Sequence, residues 1–495
     1  MPDTSEEKTE PKTADETKAP EPTDDLVTTH HTLTVRRRKL AYTAQAGRVV
    51  LRQEVVKDGK SEGHKPKAEV FLTSYTLDGA EPGSRPVTFA FNGGPGSSSI
   101  WLHLGLLGPR RAMSGDVDDL AAPPYGLEDN PESLLVHSDL VFIDPVSTGY
   151  SRVTDGGESQ EYTGFKGDID SVAEIIRLWV SRNGRWLSPK FLAGESYGTL
   201  RAAALAGHLQ ERYALYLNGL LLISSVLDMG TLRFHEGNDL PYSLFVPTYA
   251  AIAHYHGFHG ERPLDEVLAD AEDFAAKELP WALARGARLS SQDRADAVAT
   301  LASLTGLSES YVDRVDLRIE HVRFFTELLR DRGLTVGRMD GRFTTWEVDG
   351  GREHMSDDPS VSRIIGAYSA AFNHYIRTDL GYENDLPYEI LSEEVFKAWS
   401  YKNFEGRSVS VVDSVSAAMR ANPHLKVHVA FGHYDGATAY FAAEHVLAHL
   451  KIPDALRENI ETAYYPAGHM MYVHEPTRIQ QSKDLGDFVK RAANR

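Results

Sequence analysis

The chain has 495 residues, of which 41% are hydrophobic and 25% are charged, as is typical of globular proteins. Its formal net charge of −19 at pH 7 argues against nucleic acid or an anionic membrane as a partner, because both are bound through basic patches. No apolar run approaches the ~20 residues that a membrane-spanning helix needs. The absence of cysteine excludes disulfides, thiolate nucleophiles and cysteine-ligated zinc.

The first segment, Met1–Asp25, is acidic and contains no Val, Ile, Leu or aromatic residue. Such a segment cannot bury enough apolar surface to offset the entropy lost on ordering, so we predict a disordered tail. It also lacks the basic start and apolar centre of a signal peptide. We therefore expect a cytoplasmic protein.

Residues 26–228 show two successive patterns. Short, alternating, β-branched runs between Leu33 and Phe91 predict antiparallel strands. Continuous apolar runs such as "DLVFID" and "KFLAGES" then alternate with helical spacing of apolar residues. This alternation is typical of a parallel sheet with helices on both faces, and it predicts the first part of an α/β core.

Residues 229–400 lack this alternation and are almost entirely helical in pattern. Strands and helices alternate again from "LKVHVAFGHYDG" at Leu425–Gly436 onward. We therefore predict a helical insertion at residues 229–400 and the second part of the core at residues 401–495. We expect the insertion to cover the functional site and to set its preference among substrates.

The sequence "GESYG" at Gly194–Gly198 matches the G-x-S-x-G pattern, and it stands between a buried strand and an Ala-rich helix. That context is typical of a nucleophile elbow, in which a serine occupies a strained turn between strand and helix. We therefore predict that Ser196 is a nucleophile. The alternative is a serine that only caps the helix.

A serine hydroxyl needs a base to take its proton. In this architecture the acid and the base follow the serine in that order. Asp435 and His469 both come just after predicted strands, where parallel sheets build their sites. We predict that His469 is the general base and that Asp435 orients its ring.

The glycine-rich stretch "FNGGPGSSS" at Phe91–Ser99 follows another buried strand. Acyl transfer needs two N–H donors aimed at the oxyanion of the tetrahedral intermediate. We predict that Tyr197, the residue after the nucleophile, supplies one and that Gly94 supplies the other. The alternative for the loop is a tight structural turn.

The three histidines His254, His256 and His259 are close in sequence. They lack Asp or Glu residues at the spacing of metal ligands. We therefore predict neither a metal nor another cofactor.

Taken together, "NGGPGSSS", "IDPVSTGYSR", "GESYG", "GHYD" and "GHM" occur in the order found in serine carboxypeptidases, and the chain resembles that family from about Thr88 to its C-terminus. The resemblance implies an α/β-hydrolase fold and the release of single residues from peptides with a free C-terminus through an acyl-enzyme. It implies that Asn92, the Gly93 backbone and Glu195 hold the terminal carboxylate of the substrate.

The sequence departs from the family pattern at three places. Leu106 stands where the family has a second Glu that shares a proton with the one at Glu195, Ser97 replaces a disulfide-forming cysteine, and Ser224–Ser225 replaces a common Asn-Gly pair. Without the second acid we expect Glu195 to titrate at a lower pH than is usual in the family, and the activity optimum to move toward neutrality. Arg110 or Arg111 is a further candidate for binding the carboxylate, although a surface position is the simpler interpretation.

Two alternative functions stay open at this point. An esterase, amidase or acyltransferase uses the same fold and triad, so these features do not separate it from a peptidase. A binding protein with an inactive site is the other alternative. The sequence does not predict the oligomeric state.

Overall fold

The computed structural model describes residues 21–35, 37–117 and 119–494. Most of the predicted N-terminal tail therefore lies outside the described residues. None of the helices in the described ranges is both long and apolar enough to cross a membrane.

The last residues of the predicted tail are ordered. Glu21 forms an ion pair with Arg52 at 2.8 Å, and Asp24 forms one with Arg182 at 2.8 Å. Asp25 already belongs to the first strand. The tail thus ends earlier than predicted, because its last acidic side chains pair with arginines of the folded core.

The core is one ten-stranded sheet. Its strands are β1 (Asp25–Val35), β2 (Arg38–Lys57), β3 (Lys60–Leu77), β4 (Val87–Phe91), β5 (Asp139–Ile143), β6 (Arg152–Val153), β7 (Lys190–Ser196), β8 (Gly219–Ser225), β9 (Lys426–Gly432) and β10 (Ile460–Tyr465).

The strand order is β1-β2-β3-β5-β4-β7-β8-β9-β10, with β6 paired to β3. The pairs β1–β2, β2–β3, β3–β5 and β3–β6 are antiparallel. All pairs from β5–β4 to β9–β10 are parallel. This arrangement confirms the predicted mixed sheet, antiparallel in its N-terminal part and parallel in the rest.

The hairpin between β2 and β3 is longer than predicted. The segment "KDGKSEGHKPK" is rich in turn residues, yet the structure confines the turn to Asp58 and Gly59. Both have positive φ, 51° and 74°, which suits the two-residue turn favoured between twisted antiparallel strands. The polar residues after the turn are therefore strand residues exposed to solvent.

Sixteen α-helices lie within the described residues. They are α1 (Ile100–Leu102), α2 (Phe165–Arg182), α3 (Tyr197–Tyr213), α4 (Leu240–Leu244), α5 (Val246–Tyr255), α6 (Leu264–Arg285), α7 (Ser291–Thr305), α8 (Glu309–Arg314), α9 (His321–Glu327), α10 (Pro359–Ser362), α11 (Ile365–Thr378), α12 (Glu393–Ala398), α13 (Val412–Ala421), α14 (Tyr440–Ala448), α15 (Asp454–Arg457) and α16 (Glu475–Ala493). A π-helical segment, His103–Leu107, continues α1.

Helices cover both faces of the sheet. Leu220 and Leu222 of β8 pack in the core that contains residues of α2 and α3, whereas Leu221 and Ile223 pack with α16. Alternate residues of a strand point to opposite faces, so a continuous apolar run fills both layers.

The predicted insertion has two parts. Helices α4 to α8 pack against their neighbours, and their apolar side chains join the same buried cluster as one face of the sheet. A hairpin of Leu334–Val336 with Thr344–Trp346 follows α9. Helix α11 instead packs on the sheet, where the Tyr375 hydroxyl accepts a hydrogen bond from Tyr75 at 3.0 Å. Part of the segment between β8 and β9 is therefore a layer of the core.

Candidate active site

Ser196 occupies a sharp turn between β7 and α3. Its φ is +60° and its ψ is −130°, a backbone conformation that costs free energy for a residue with a side chain. A Cβ atom on Gly194 would lie 2.1 Å from the Gly198 carbonyl oxygen, so the turn requires glycine there. The local geometry is that of the nucleophile elbow expected from the sequence.

The elbow opens on a cavity of about 420 Å³. Seven of the eight residues predicted for the site line it: Asn92, Gly93, Gly94, Glu195, Ser196, Tyr197 and His469. The eighth, Asp435, is fully buried behind His469. Segments of the predicted insertion line much of the rest, with side chains that include Arg233, Phe245, His321, Arg338 and Phe396.

His469 and Asp435 are joined directly. The Nδ1 atom of His469 lies 2.7 Å from Asp435 Oδ2. Asp435 also accepts hydrogen bonds from the Thr438 hydroxyl at 2.6 Å and from the amides of Ala437 and Thr438 at 2.8 Å. These donors fix the position of the carboxylate. The carboxylate accepts a hydrogen bond from Nδ1–H of His469, which leaves Nε2 free to accept a proton from another group.

No hydrogen bond joins Ser196 Oγ to His469 among the residues that the structure describes, although both side chains face one cavity. Such contacts are often long without substrate and tighten when it binds. The structure thus brings the predicted nucleophile and base together without linking them.

The backbone of His469 is also held in place. Its N–H donates to the Met339 carbonyl at 2.6 Å, and its carbonyl accepts from the Ser224 hydroxyl at 2.6 Å. The Ser224–Ser225 departure from the family pattern therefore supplies a contact to the predicted base. Burial lowers the pKa of His469, but the Asp435 carboxylate more than offsets this and leaves the pKa above its ordinary value.

The two predicted oxyanion donors are adjacent. A Cβ atom on Gly93 would lie 2.5 Å from Tyr197 N, so glycine allows the loop to touch the start of α3. The next residue, Gly94, has φ of +101° and is exposed between buried neighbours. Tyr197 begins α3, and the first N–H groups of a helix have no partner within it. Both amides are therefore available at the cavity wall.

Asn92 and Glu195 form a buried pair beside Ser196. The Asn92 side-chain amide donates to Glu195 Oε1 at 2.9 Å, and its oxygen accepts from Leu102 N at 3.0 Å. Burial raises the pKa of Glu195 to about 7, and His469, Tyr472 and Asn92 only partly oppose this. Glu195 is therefore largely protonated in weakly acidic solution and can then donate a hydrogen bond.

Although the sequence lacks the second acid, the pKa of Glu195 is still raised above its ordinary value. Leu106 is buried, and two tyrosines instead surround the glutamate. Tyr472 lies beside the Glu195 carboxyl, and burial, aided by the charge of Glu195, raises the pKa of Tyr368. The sequence alone did not indicate either tyrosine, because neither belongs to a motif.

The glycine-rich loop is anchored without a disulfide. The Ser98 amide donates to the Ile390 carbonyl at 3.0 Å, and the Ser392 amide donates to the Gly96 carbonyl at 2.8 Å. Asp144 of the "IDPVSTGYSR" motif accepts from both the amide and the hydroxyl of Ser99, at 2.8 and 2.7 Å. These bonds hold the loop where the family has a cysteine.

A buried arginine supports the same loop from behind. Arg201 donates to Asp168 at 2.8 Å and to the Asn92 carbonyl at 2.6 Å, and both charged side chains are almost completely buried. The sequence alone did not indicate that Arg201 and Asp168 pair, because they lie on different helices and belong to no motif.

We predict that Arg201→Leu destabilises the protein by about 3–5 kcal/mol, because it leaves the Asp168 charge buried without a partner. The free energy of unfolding, measured by urea denaturation, tests this. Arg212→Leu, on the exposed face of the same helix, is the control and should change it by less than about 0.5 kcal/mol. Equal effects of the two substitutions would contradict the supporting role of Arg201.

Arg110 and Arg111, the other two candidates for binding the substrate carboxylate, lie outside the cavity. Arg110 pairs with Asp379 at 3.0 Å and Arg111 with Glu128 at 3.3 Å, and neither arginine lines the cavity. Their suggested role in carboxylate binding was therefore wrong, since acidic neighbours already occupy both guanidinium groups. In the described ranges no cluster of His, Cys, Asp or Glu is arranged to hold a metal.

The chain resembles known proteins both in its sequence profile and in its fold. The profile of the serine carboxypeptidase family matches residues 65–473. The fold resembles that of Kex1(delta)p, a prohormone-processing carboxypeptidase from Saccharomyces cerevisiae, with a TM-score of 0.57 and 15% identity over 91% of both chains.

More distant matches include a proline iminopeptidase from Mycobacterium smegmatis, with a TM-score of 0.35 and 12% identity over 90% of this chain and 99% of that one. The peroxisomal α/β-hydrolase Lpx1 from Saccharomyces cerevisiae matches with a TM-score of 0.35 and 12% identity over 95% of this chain and 90% of its own. No curated protein sequence matches. Because the serine carboxypeptidase profile covers residues 65–473, the chain belongs to that family of hydrolases, and it has the α/β-hydrolase fold that its sequence predicted.

Proposed function

We propose that this enzyme removes single residues from peptides with a free C-terminus, through a Ser196–His469–Asp435 triad. One observation carries the proposal: the buried Asn92–Glu195 pair opens on the same cavity as Ser196 and His469. A site for a carboxylate thus adjoins the predicted nucleophile, which is what cleavage of the last peptide bond requires.

In the proposed reaction, His469 Nε2 takes the proton of Ser196 while Oγ attacks the carbonyl carbon of the last peptide bond. The amides of Gly94 and Tyr197 stabilise the oxyanion. His469 then gives the proton to the leaving amine, the C–N bond breaks, and an acyl-enzyme remains. Water, activated by His469, hydrolyses this ester and restores the serine.

The proposed role of Glu195 depends on its protonation. Protonated Glu195 donates a hydrogen bond to the terminal carboxylate of the substrate, whereas ionised Glu195 repels it. The Asn92 amide donates to Oε1, which leaves Oε2 to carry that proton, with the Tyr472 hydroxyl beside the carboxyl group. The Gly93 backbone completes the proposed carboxylate site.

Matched blocked dipeptides test the proposed function. One has a free C-terminal carboxylate and its partner is amidated, and kcat/KM is measured for each at pH 6.5. The proposal predicts clear preference for the free acid. Equal cleavage of both, or cleavage only of an added ester, would instead favour an esterase or amidase.

We predict an activity optimum near neutrality. As the pH rises through about 7, Glu195 loses its proton and KM for free-acid peptides increases. As the pH falls below the raised pKa of His469, the base becomes protonated and kcat decreases. Steady-state kinetics from pH 4 to pH 9 measures both limbs.

Glu195→Gln is the matched variant for this pH dependence, because glutamine keeps a donor but does not titrate. Its KM should stay constant above pH 7, while the decrease in kcat at low pH remains. A KM that increases with pH in the variant as much as in the wild type would contradict the assignment. An optimum below about pH 5 would contradict the whole scheme.

A further inference from the structure

The cavity lining has more arginines than acidic residues. Its lining includes two arginines, Arg233 and Arg338, and one carboxyl group, Glu195. The whole chain has a net charge of −19, so acidic partners are abundant elsewhere. Unpaired arginines in a cleft of an acidic protein create a local field that attracts an anionic ligand.

Arg338 has a fixed backbone and a free side chain. Asp358 accepts hydrogen bonds from the amides of Arg338 and Met339, at 3.2 Å each. The Arg338 guanidinium forms neither an ion pair nor a hydrogen bond with any residue that the structure describes. Its five donors are therefore available to a ligand in the cavity.

Arg338 lies close to the predicted base. The adjacent Met339 carbonyl accepts the His469 amide at 2.6 Å, and the charge of Arg338 acts on both His469 and His321. A group bound by this guanidinium would thus belong to a residue near the bond that is cleaved.

Arg233 stands on another part of the cavity lining. Its guanidinium lies 4.9 Å from the centre of the Tyr401 ring and also hydrogen-bonds the Tyr401 side chain, so only its remaining donors are left for a ligand. No acidic residue within the described part of the chain pairs with it. Two separate arginines therefore face the same space.

The terminal carboxylate of a substrate does not account for these arginines. Asn92 and Glu195 already provide a candidate site for that group, because they form a pair that lines the cavity beside Ser196. The arginines thus fit a second carboxylate on the same substrate.

We propose that Arg338, assisted by Arg233, binds a side-chain carboxylate of the substrate, so that the enzyme prefers peptides with Glu or Asp next to the cleaved bond. This inference rests on the proposed carboxypeptidase function. It names acidic peptides as the substrate class and makes Arg338 the residue that determines specificity.

Two pairs of blocked dipeptides test this inference, one pair with Glu or Gln as the last residue and one with Glu or Gln as the penultimate residue. Glu and Gln have nearly the same shape, so the ratio of their kcat/KM values isolates the charge. We expect a ratio of about 10 or more in at least one pair, equivalent to ~1.4 kcal/mol. The responding pair identifies the residue that Arg338 contacts.

Arg338→Gln should reduce that ratio to near one, because kcat/KM should decrease much more for the Glu peptide than for the Gln peptide, and Arg338→Lys should retain part of the ratio. Arg285→Gln is the control, because Arg285, like Arg338, forms no ion pair with any described residue but lies outside the cavity, beside Trp281. A wild-type ratio of one in both pairs, or equal loss with Glu and Gln peptides, would overturn the inference.

Binding to the Ser196→Ala variant separates this inference from the proposed function. Calorimetry with the same peptides needs no turnover, and tighter binding of the Glu peptide that Arg338→Gln removes would support the inference even if no peptide were cleaved. Cleavage of peptides without any difference between Glu and Gln in binding or turnover would refute it and leave the proposed function intact.

Discussion

Ser196→Ala is expected to reduce kcat by about 10⁶-fold, the loss seen when a triad serine is removed from a serine hydrolase. The reason is the covalent step: alanine cannot form the acyl-enzyme, and the cavity then contributes only binding and the two amide donors. Substrate binding should persist, because Asn92 and Glu195 are unchanged. The measurement is steady-state turnover of a free-acid dipeptide, together with labelling by a fluorophosphonate probe.

Ser225→Ala is the matched control for this substitution. Ser225 pairs with Ser196 on the neighbouring strand, and its buried hydroxyl makes no hydrogen bond with any described residue. The control should retain both turnover and labelling. Turnover by Ser196→Ala within about tenfold of the wild type would refute Ser196 as the nucleophile.

Asp435→Asn is expected to reduce kcat by about 10⁴-fold with little change in KM. Asp435 Oδ2 accepts a hydrogen bond from Nδ1–H of His469 at 2.7 Å. An asparagine can present its amide to the ring instead, which favours the tautomer with the proton on Nε2. That tautomer cannot take the proton of Ser196.

Asp435→Asn should change the tautomer of His469 without destabilising the fold. The amides of Ala437 and Thr438 donate to Asp435 Oδ1, and an asparagine oxygen can still accept them. The Thr438 hydroxyl, which donates to Oδ2, can turn to accept from the asparagine amide, so we expect little change in the unfolding midpoint in urea. Asp413→Asn, at an exposed acid on α13, is the control and should keep full activity. A variant at Asp435 with near-normal kcat would show that another group orients His469.

The triad candidates could be predicted because they follow strands. A buried apolar run that ends in a glycine or a polar residue indicates the edge of a parallel sheet where sites form, and Ser196, Asp435 and His469 all satisfy that pattern. The structure brings them to one place, as the strand order requires. Their catalytic roles stay predictions until the variants are measured.

The supporting residues could not be predicted in the same way. Arg201 and Asp168 meet because α2 and α3 lie side by side, and Arg338 reaches the cavity from a loop of the insertion that has no periodic pattern. The hairpin around Thr335 was missed because three-residue strands are too short to show alternation. The predicted disordered tail was also too long. Ion pairs, rather than burial of apolar side chains, hold Glu21 and Asp24 in place.

Mass spectrometry of a longer peptide tests the central claim most directly. A peptide of about ten residues containing Glu near its end is incubated with the enzyme at pH 7, as a free acid and as a C-terminal amide. The account predicts products shortened by one residue at a time from the free C-terminus, none from the amide and none with Ser196→Ala. Internal cleavage, or equal shortening of the amide, would contradict it.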